Sequence, residues 1–140
     1  MTIKLDHINL SVKDLKNSID WYGRVFGFEL VESGITANGK KWGIVAFNDY
    51  MICMSEFAER TDADKIEDRS AHQIFHFGIR VSDLNRWNQT VKDHQLKLYY
   101  GGEIKYPTSK SWYVHDPSGH EIEVSYTEQG RMQFPNGGII

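Results

Sequence analysis

The chain has 140 residues, 40% hydrophobic and 25% charged, which suits one compact body and excludes two conventional domains. Its net charge of -3, without any Lys- or Arg-rich run, argues against nucleic-acid binding and favours a small-molecule partner. The single cysteine, Cys53, excludes an intramolecular disulfide, and no apolar run reaches the roughly 20 residues of a membrane span. The first residues lack a secretory pattern, so we expect a cytoplasmic protein.

The first elements in chain order are a predicted strand, helix and three further strands. Residues 3–12 alternate between apolar and polar side chains, which predicts a half-buried strand. Asp14 can cap a helix that ends at Gly27. Its apolar stripe consists of Leu15, Ile19, Tyr22 and Phe26. Further strands are predicted at 28–33, 41–48 and 50–56, so residues 1–57 form a βαβββ module.

The opening motif of this module then returns. HINLSVKDL, His7 to Leu15, becomes HFGIRVSDL, His76 to Leu84, with His, Val, Asp and Leu in register. The second module, 73–127, has a predicted strand at 74–81, a helix capped by Asp83, and strands near 96–100, 110–115 and 120–126. The mixed charges of 58–72 predict a solvated linker, and the Gly-rich 128–140 predicts a tail or an arm on a partner subunit. The fold class is α+β.

A candidate metal site follows from the polar strand faces. His7 and His76 hold equivalent positions in the two modules, and Glu123 lies on the polar face of the last strand, opposite Ile122 and Val124. A lone histidine on such a face is usually solvated or hydrogen-bonded. The repeated position and the added carboxylate favour a two-histidine, one-carboxylate site for a first-row divalent ion, with positions left open for substrate.

The paired modules, the DHINLSV opening, the HFGIRV restart and the closing DPSGHEIEV resemble the vicinal oxygen chelate superfamily over residues 3–126. That group includes glyoxalase I, fosfomycin-resistance thiol transferases, epimerases, extradiol dioxygenases and bleomycin-resistance proteins. The resemblance implies a cup-shaped mixed sheet around a divalent metal held by His7, His76 and Glu123, and a homodimer whose sites draw on both chains. The ion is Mn, Fe, Ni or Zn, because the ligand types do not separate these metals.

Two branches of the superfamily fit less well. Ring-cleaving dioxygenases carry a catalytic histidine before the aromatic pair Trp112-Tyr113, but no histidine occurs around 104–106. His115 follows that pair and is more typical of a packed residue. The bleomycin-resistance branch binds drugs without a metal, between aromatic side chains. Here these would be Trp42, Trp112, Tyr99 and Tyr100, although all three metal-ligand positions are filled.

Glyoxalase-like isomerisation needs a further metal-facing group on the strand YMICMSE, which also moves a proton. Two registers place either Cys53 or Glu56 at that position, and they expose opposite strand faces. With Glu56 inward, this residue would be the catalytic base. With Cys53 inward, the metal would have three protein ligands. The alternatives are a small buried residue for Cys53 and an exposed strand-end charge for Glu56.

The fosfomycin-resistance enzymes are the most similar branch in the YMICMSE strand, and the resemblance places a catalytic tyrosine at Tyr113 and a phosphonate-binding lysine at Lys105. Asn9 departs from their usual hydroxyl or thiol residue near the substrate, and the loop 105–113 is short. Arg131 could replace a missing substrate-binding segment. We therefore predict a metal-dependent lyase, isomerase or thiol transferase that acts on a small oxygen-bearing substrate. A thiol transferase would also use a thiol cosubstrate.

Overall fold

The structure is a computed structural model that describes residues 1–59, 74–131 and 133–134. The chain divides into two compact units, Met1–Glu67 with Asp116–His120, and Asp68–His115 with Glu121–Ile140. Residues 60–72 of the predicted linker, and residues 132 and 135–140 of the predicted tail, lie outside the described residues.

The first unit contains one helix and one mixed sheet. Its elements are β1 (His7–Val12), α1 (Leu15–Phe26), β2 (Glu29–Ile35), β3 (Lys41–Phe47) and β4 (Tyr50–Glu56). The sheet order is β1-β4-β3-β2, and only the β1–β4 pair is parallel among these strands. The helix starts where the Asp14 side chain accepts a hydrogen bond from the Asn17 amide at 2.8 Å, and it ends at Gly27, whose φ is +77°. The predicted βαβββ order is confirmed, with β1 starting at His7.

The second unit repeats this topology. Its elements are β5 (Phe77–Arg80), α2 (Leu84–Asp93), β6 (Ile104–Lys105), β7 (Lys110–His115) and β8 (Glu121–Tyr126), in the sheet order β5-β8-β7-β6. Asp83 caps α2 through the Arg86 amide at 2.9 Å. The strand predicted at 96–100 is wrong, because the chain turns at Tyr100, whose φ is +55°, and the paired residues are the two of β6.

Each sheet packs one face against its helix, and the candidate site residues of each unit lie on the other face. In the first unit, α1 covers the face of Val45, Ile52 and Met54, which are buried. In the second unit, Trp87 of α2 contacts Trp112 of β7 with 6.2 Å between ring centroids. Trp112 is therefore a core residue and not part of a drug-binding surface. Neither helix in the described ranges has the length and apolar character needed to cross a bilayer.

Candidate metal centre

The polar face of the second sheet is built by β7 and β8. On β8, Ile122 and Val124 are buried on the helix-covered face, so strand alternation places Glu121 and Glu123 on the other face. The antiparallel register pairs Tyr113 with Glu123 and His115 with Glu121. Residues paired across a ladder share a face, so these four side chains lie together.

His76, immediately before β5, meets this face. Its Nε2 lies 3.2 Å from Oε2 of Glu123, and the Ser111 hydroxyl donates a hydrogen bond of 2.6 Å to Oε1 of the same carboxylate. Two ligand atoms bound about 2.1 Å from one ion are about 3.0 to 3.4 Å apart at octahedral or tetrahedral angles. The nitrogen and oxygen of this pair therefore lie at a separation that suits two ligands of one divalent metal.

His7 lies in the first unit, at the start of β1. Its Nδ1 contacts the Asp6 carboxylate at 2.7 Å, an arrangement that directs Nε2 away from Asp6. Bonding of one ring nitrogen to a carboxylate is common for metal-binding histidines, because it fixes the tautomer. Within the described parts of the chain, no group of three or more His, Cys, Asp or Glu side chains converges as a ligand set. The structure therefore brings His76 and Glu123 together and describes His7 separately.

The register of β4 decides which residue shares the His7 face. Cys53 pairs with Asn9 of β1, so Cys53 and Asn9 lie on the face that carries His7. Burial raises the pKa of the Cys53 thiol, and the charge of Asp6 adds to this shift, so the thiol form is favoured. This placement agrees with the alternative in which Cys53, and not Glu56, occupies the metal-facing register.

Glu56 lies on the opposite, helix-covered side of the first sheet. Its Oε2 accepts a hydrogen bond from the Leu15 amide at 3.0 Å, and its Oε1 pairs with the Lys41 ammonium at 3.1 Å. The hydrogen bond from Leu15 and the pairing with Lys41 together lower the pKa of Glu56. These contacts give Glu56 a structural role at the first turn of α1, which an ionised carboxylate favours.

Tyr113 is the buried aromatic neighbour of His76. The two ring centroids are 5.5 Å apart with an edge-to-face geometry. Burial raises the pKa of Tyr113, and the interaction with Tyr106 and the charge of Glu123 act in the same direction. The hydroxyl is consequently a neutral hydrogen-bond donor beside the His76–Glu123 pair.

The chain matches the family model described as "Glyoxalase/Bleomycin resistance protein/Dioxygenase superfamily" over residues 4–124. It belongs to that superfamily. It is 28% identical to the metallothiol transferase FosB of Staphylococcus epidermidis over 93% of this chain and 87% of the relative. FosB of Bacillus licheniformis is 30% identical over 86% and 73%. A mutant of the fosfomycin resistance protein FosX of Listeria monocytogenes, solved with Mn(II) and 1S,2S-dihydroxypropylphosphonic acid, has 19% identity and a TM-score of 0.66 over 89% of this chain and 92% of that one.

The remaining predicted substrate-binding residues, Lys105 and Arg131, are exposed basic side chains, unlike the half-buried His76–Glu123 pair. Lys105 on β6 is largely exposed and pairs with Glu103 at 4.0 Å, and Lys110 pairs with the same carboxylate at 3.5 Å. Arg131 is exposed, and its carbonyl accepts a hydrogen bond from the Thr127 hydroxyl at 3.4 Å. An open, hydroxyl-rich depression of about 280 Å³ is lined by residues 105–110 and 126–129.

Several polar residues of this unit were not singled out by the sequence. Ser111 fixes Glu123, and Glu121 lies between His76 and His115 with distances of 3.5 and 3.6 Å. Alternation along β8 predicts the face of Glu121, but the partners of its carboxylate depend on the pairing of three strands. The bond from Tyr100 to Glu121 depends on a left-handed turn that the strand prediction had missed.

Proposed function

We propose that this protein is a metal-dependent thiol transferase that acts on a small electrophile held through adjacent oxygens. The observation that carries the proposal is the His76–Glu123 pair at ligand spacing, in a chain of this superfamily whose relatives include FosB metallothiol transferases. An isomerase of the glyoxalase I kind is less well supported, since Glu56 lies on the helix-covered side and both its oxygens have structural partners.

The proposed ligands are His7, His76 and Glu123. A divalent metal bound by them would supply an electrophilic centre that stabilises negative charge developing on a substrate oxygen. Mn(II) is the first candidate because the related FosX structure contains it, whereas Fe, Ni and Zn suit the same donor types. Ser111 would hold the Glu123 carboxylate in the orientation that binds the ion.

The other residues are assigned by their chemistry. Tyr113, a neutral donor beside His76, would hydrogen-bond to the bound substrate. Asn9 would offer its amide on the His7 face, and Lys105 and Arg131 would attract an anionic group of the substrate. The transferred thiol is expected from a second small molecule, because Cys53 is a half-buried residue in its thiol form. The homodimer and the cytoplasmic location stay predictions from the sequence.

The metal is tested with protein purified without chelators. We expect calorimetry to detect Mn(II) binding by the unchanged protein. The affinity should be at least about a hundredfold lower in His7→Ala and in His76→Ala. The matched control is His94→Ala, at the end of α2, which should bind as the unchanged protein does. Equal binding in all four proteins, or none in the unchanged protein, would contradict the ligand assignment.

The reaction is tested with Mn(II)-loaded protein, fosfomycin as the electrophile and L-cysteine or glutathione as the thiol. Mass spectrometry should detect the sum of the two molecules, because the thiolate sulfur forms a bond to an epoxide carbon while the released oxygen takes up a proton. Tyr113→Phe should reduce the rate about a hundred- to a thousandfold, because it removes one hydrogen-bond donor to the substrate. A product that forms from fosfomycin without any thiol would contradict thiol transfer and would indicate hydration or lyase chemistry.

A further inference from the structure

Glu121 is the second carboxylate on the polar face of β8, and its two oxygens have different partners. Oε1 lies 3.5 Å from Nδ1 of His76, on the side of the imidazole away from Glu123. Oε2 lies 3.6 Å from Nε2 of His115 and accepts a hydrogen bond from the Tyr100 hydroxyl. The side chain is 14% exposed, so solvent screens these contacts only in part.

The turn that carries Tyr100 holds the Glu121 carboxylate in place. Tyr100 has a φ of +55°, a left-handed conformation that is unfavourable for a tyrosine, and Gly101 and Gly102 continue the turn with φ of +82° and +95°. The Tyr99 amide donates to the Tyr113 carbonyl at 3.0 Å, which ties the turn to β7. Strained residues persist where their surroundings fix them, and they cluster at functional sites.

Aromatic contacts reinforce the same arrangement. The Tyr99 ring stacks on His115 with 3.8 Å between centroids, and the Tyr100 ring meets Tyr113 edge-to-face at 5.1 Å. His115 and Tyr100 thus both contact Glu121 while their positions are set by neighbouring rings. These contacts favour the observed orientation of the carboxylate, in which Oε1 lies toward His76.

We propose that Glu121 is the positioning residue of His76. A carboxylate near Nδ1 favours the tautomer with a proton on that nitrogen, which leaves the Nε2 lone pair directed at the Glu123 side. The metal-related part of this inference rests on the proposed function, because it takes His76 as a ligand. The tautomer part depends only on the contact between Glu121 and His76.

The first experiment needs no metal. In Glu123→Ala, only Glu121 of the two carboxylates remains beside His76, and the ¹⁵N shifts of the neutral ring should show the proton on Nδ1. Adding Glu121→Ala should move the proton to Nε2, the form that prevails for an imidazole in water. A ring whose tautomer is the same in both proteins overturns the proposal.

The second experiment measures Mn(II) affinity by calorimetry. Glu121→Ala should weaken binding about ten- to a hundredfold, the range found when such supporting contacts are removed. Glu121→Gln keeps an acceptor oxygen without the charge and should recover part of the loss. The exposed Glu29 of β2 provides the control, since Glu29→Ala should bind as the unchanged protein does. Affinity within twofold of the unchanged protein in Glu121→Ala overturns the proposal.

Tyr100→Phe tests the clamp on Glu121. It keeps all charges, so a loss of affinity reports on orientation, and it should have no additional effect in Glu121→Ala. Additive losses in the double variant would show that Tyr100 acts independently and would overturn its assigned role. If the unchanged protein binds no Mn(II), the proposed function fails, while the tautomer experiment still decides whether Glu121 positions His76.

Discussion

The sheet faces that carry His7 and His76 have the same strand order and different chemistry. On the first face, His7 contacts Asp6, and Asn9 and Cys53 follow at paired positions. On the second face, His76 lies between Glu121 and Glu123. Ser111 hydrogen-bonds to Glu123, and Tyr100 hydrogen-bonds to Glu121. The two copies therefore share strand order, helix cap and histidine, whereas His76 has two carboxylate neighbours from β8 and His7 has the adjacent Asp6. A shared fold does not imply an equal share in the chemistry.

The largest expected difference concerns the turn before the fourth strand of each module. In the second module this turn is Asp116–His120, where buried Asp116 accepts from the Tyr22 hydroxyl at 3.0 Å and contacts Nδ1 of His120 at 2.8 Å. Asp116→Ala should lower the free energy of unfolding by about 3 to 5 kcal/mol, because buried donors lose their acceptor.

Exposed Asp49, in the turn between β3 and β4 of the first module, is the control for this experiment. Asp49→Ala should change the free energy of unfolding by less than about 0.5 kcal/mol. Denaturant titration measures both variants. Equal losses in the two variants would remove the distinction between the turns.

The metal experiment compares the two faces directly. Glu123→Ala should weaken Mn(II) binding by a hundredfold or more, about 2.7 kcal/mol or more, because it removes the carboxylate from the His76 pair. Cys53→Ser, on the first face, should change the affinity less than threefold. Calorimetry of both variants decides this point, and a large loss in Cys53→Ser would make the thiol a ligand.

A smaller effect is expected where Glu56 meets α1. Glu56→Gln weakens the bond to the Leu15 amide and removes the pairing with Lys41, and it should cost about 1 to 2 kcal/mol of unfolding free energy. Thiol-transfer activity of the Mn(II)-loaded variant should be unchanged below its melting transition. If the folded variant is inactive, Glu56 acts as a catalytic base after all.

The smallest expected effect is the dependence of stability on acid. Burial raises the pKa of Asp116, but the hydrogen bonds and charge of His120 outweigh it and hold this pKa below its ordinary value. The hydrogen bond from Leu15 and the pairing with Lys41 likewise lower the pKa of Glu56. The unfolded chain then binds more protons as the pH falls below about 5, so stability present at higher pH is lost.

The matching variant is Asp116→Asn combined with Glu56→Gln. It should be less stable than the unchanged protein at pH 7, and its free energy of unfolding should decline less between pH 6 and pH 3.5. Denaturant titrations at a series of pH values provide the comparison. A decline as steep as that of the unchanged protein would assign the acid sensitivity to other carboxylates.

Local patterns predicted most of the fold. The caps at Asp14 and Asp83, the stripe of α1 and the alternation of β8 act within a few residues, so the sequence shows them directly. The strand predicted at 96–100 failed because the apolar and aromatic pattern there is interrupted by the turn at Tyr100. Glycines at 101 and 102 were the available signal for that turn.

The candidate site was predictable to a lesser extent. Alternation placed His76 and Glu123 on polar faces, and their contact at 3.2 Å supports the pairing. The choice between Cys53 and Glu56 was open because a register shift of three residues exchanges the faces of β4. Only the ladder with β1 fixes that register. The role of Glu121 also required knowledge of which strands are neighbours.

The parallel pairing of first and last strands in each module has a consequence for synthesis on the ribosome. β5 pairs with β8 across about 45 intervening residues, and such distant pairings form slowly because a long loop must close first. A nascent second module therefore cannot complete its sheet until β8 has left the exit tunnel. The carboxylate-bearing strand is the one that closes the sheet, so Glu121 and Glu123 reach their places beside His76 in the same late step as closure.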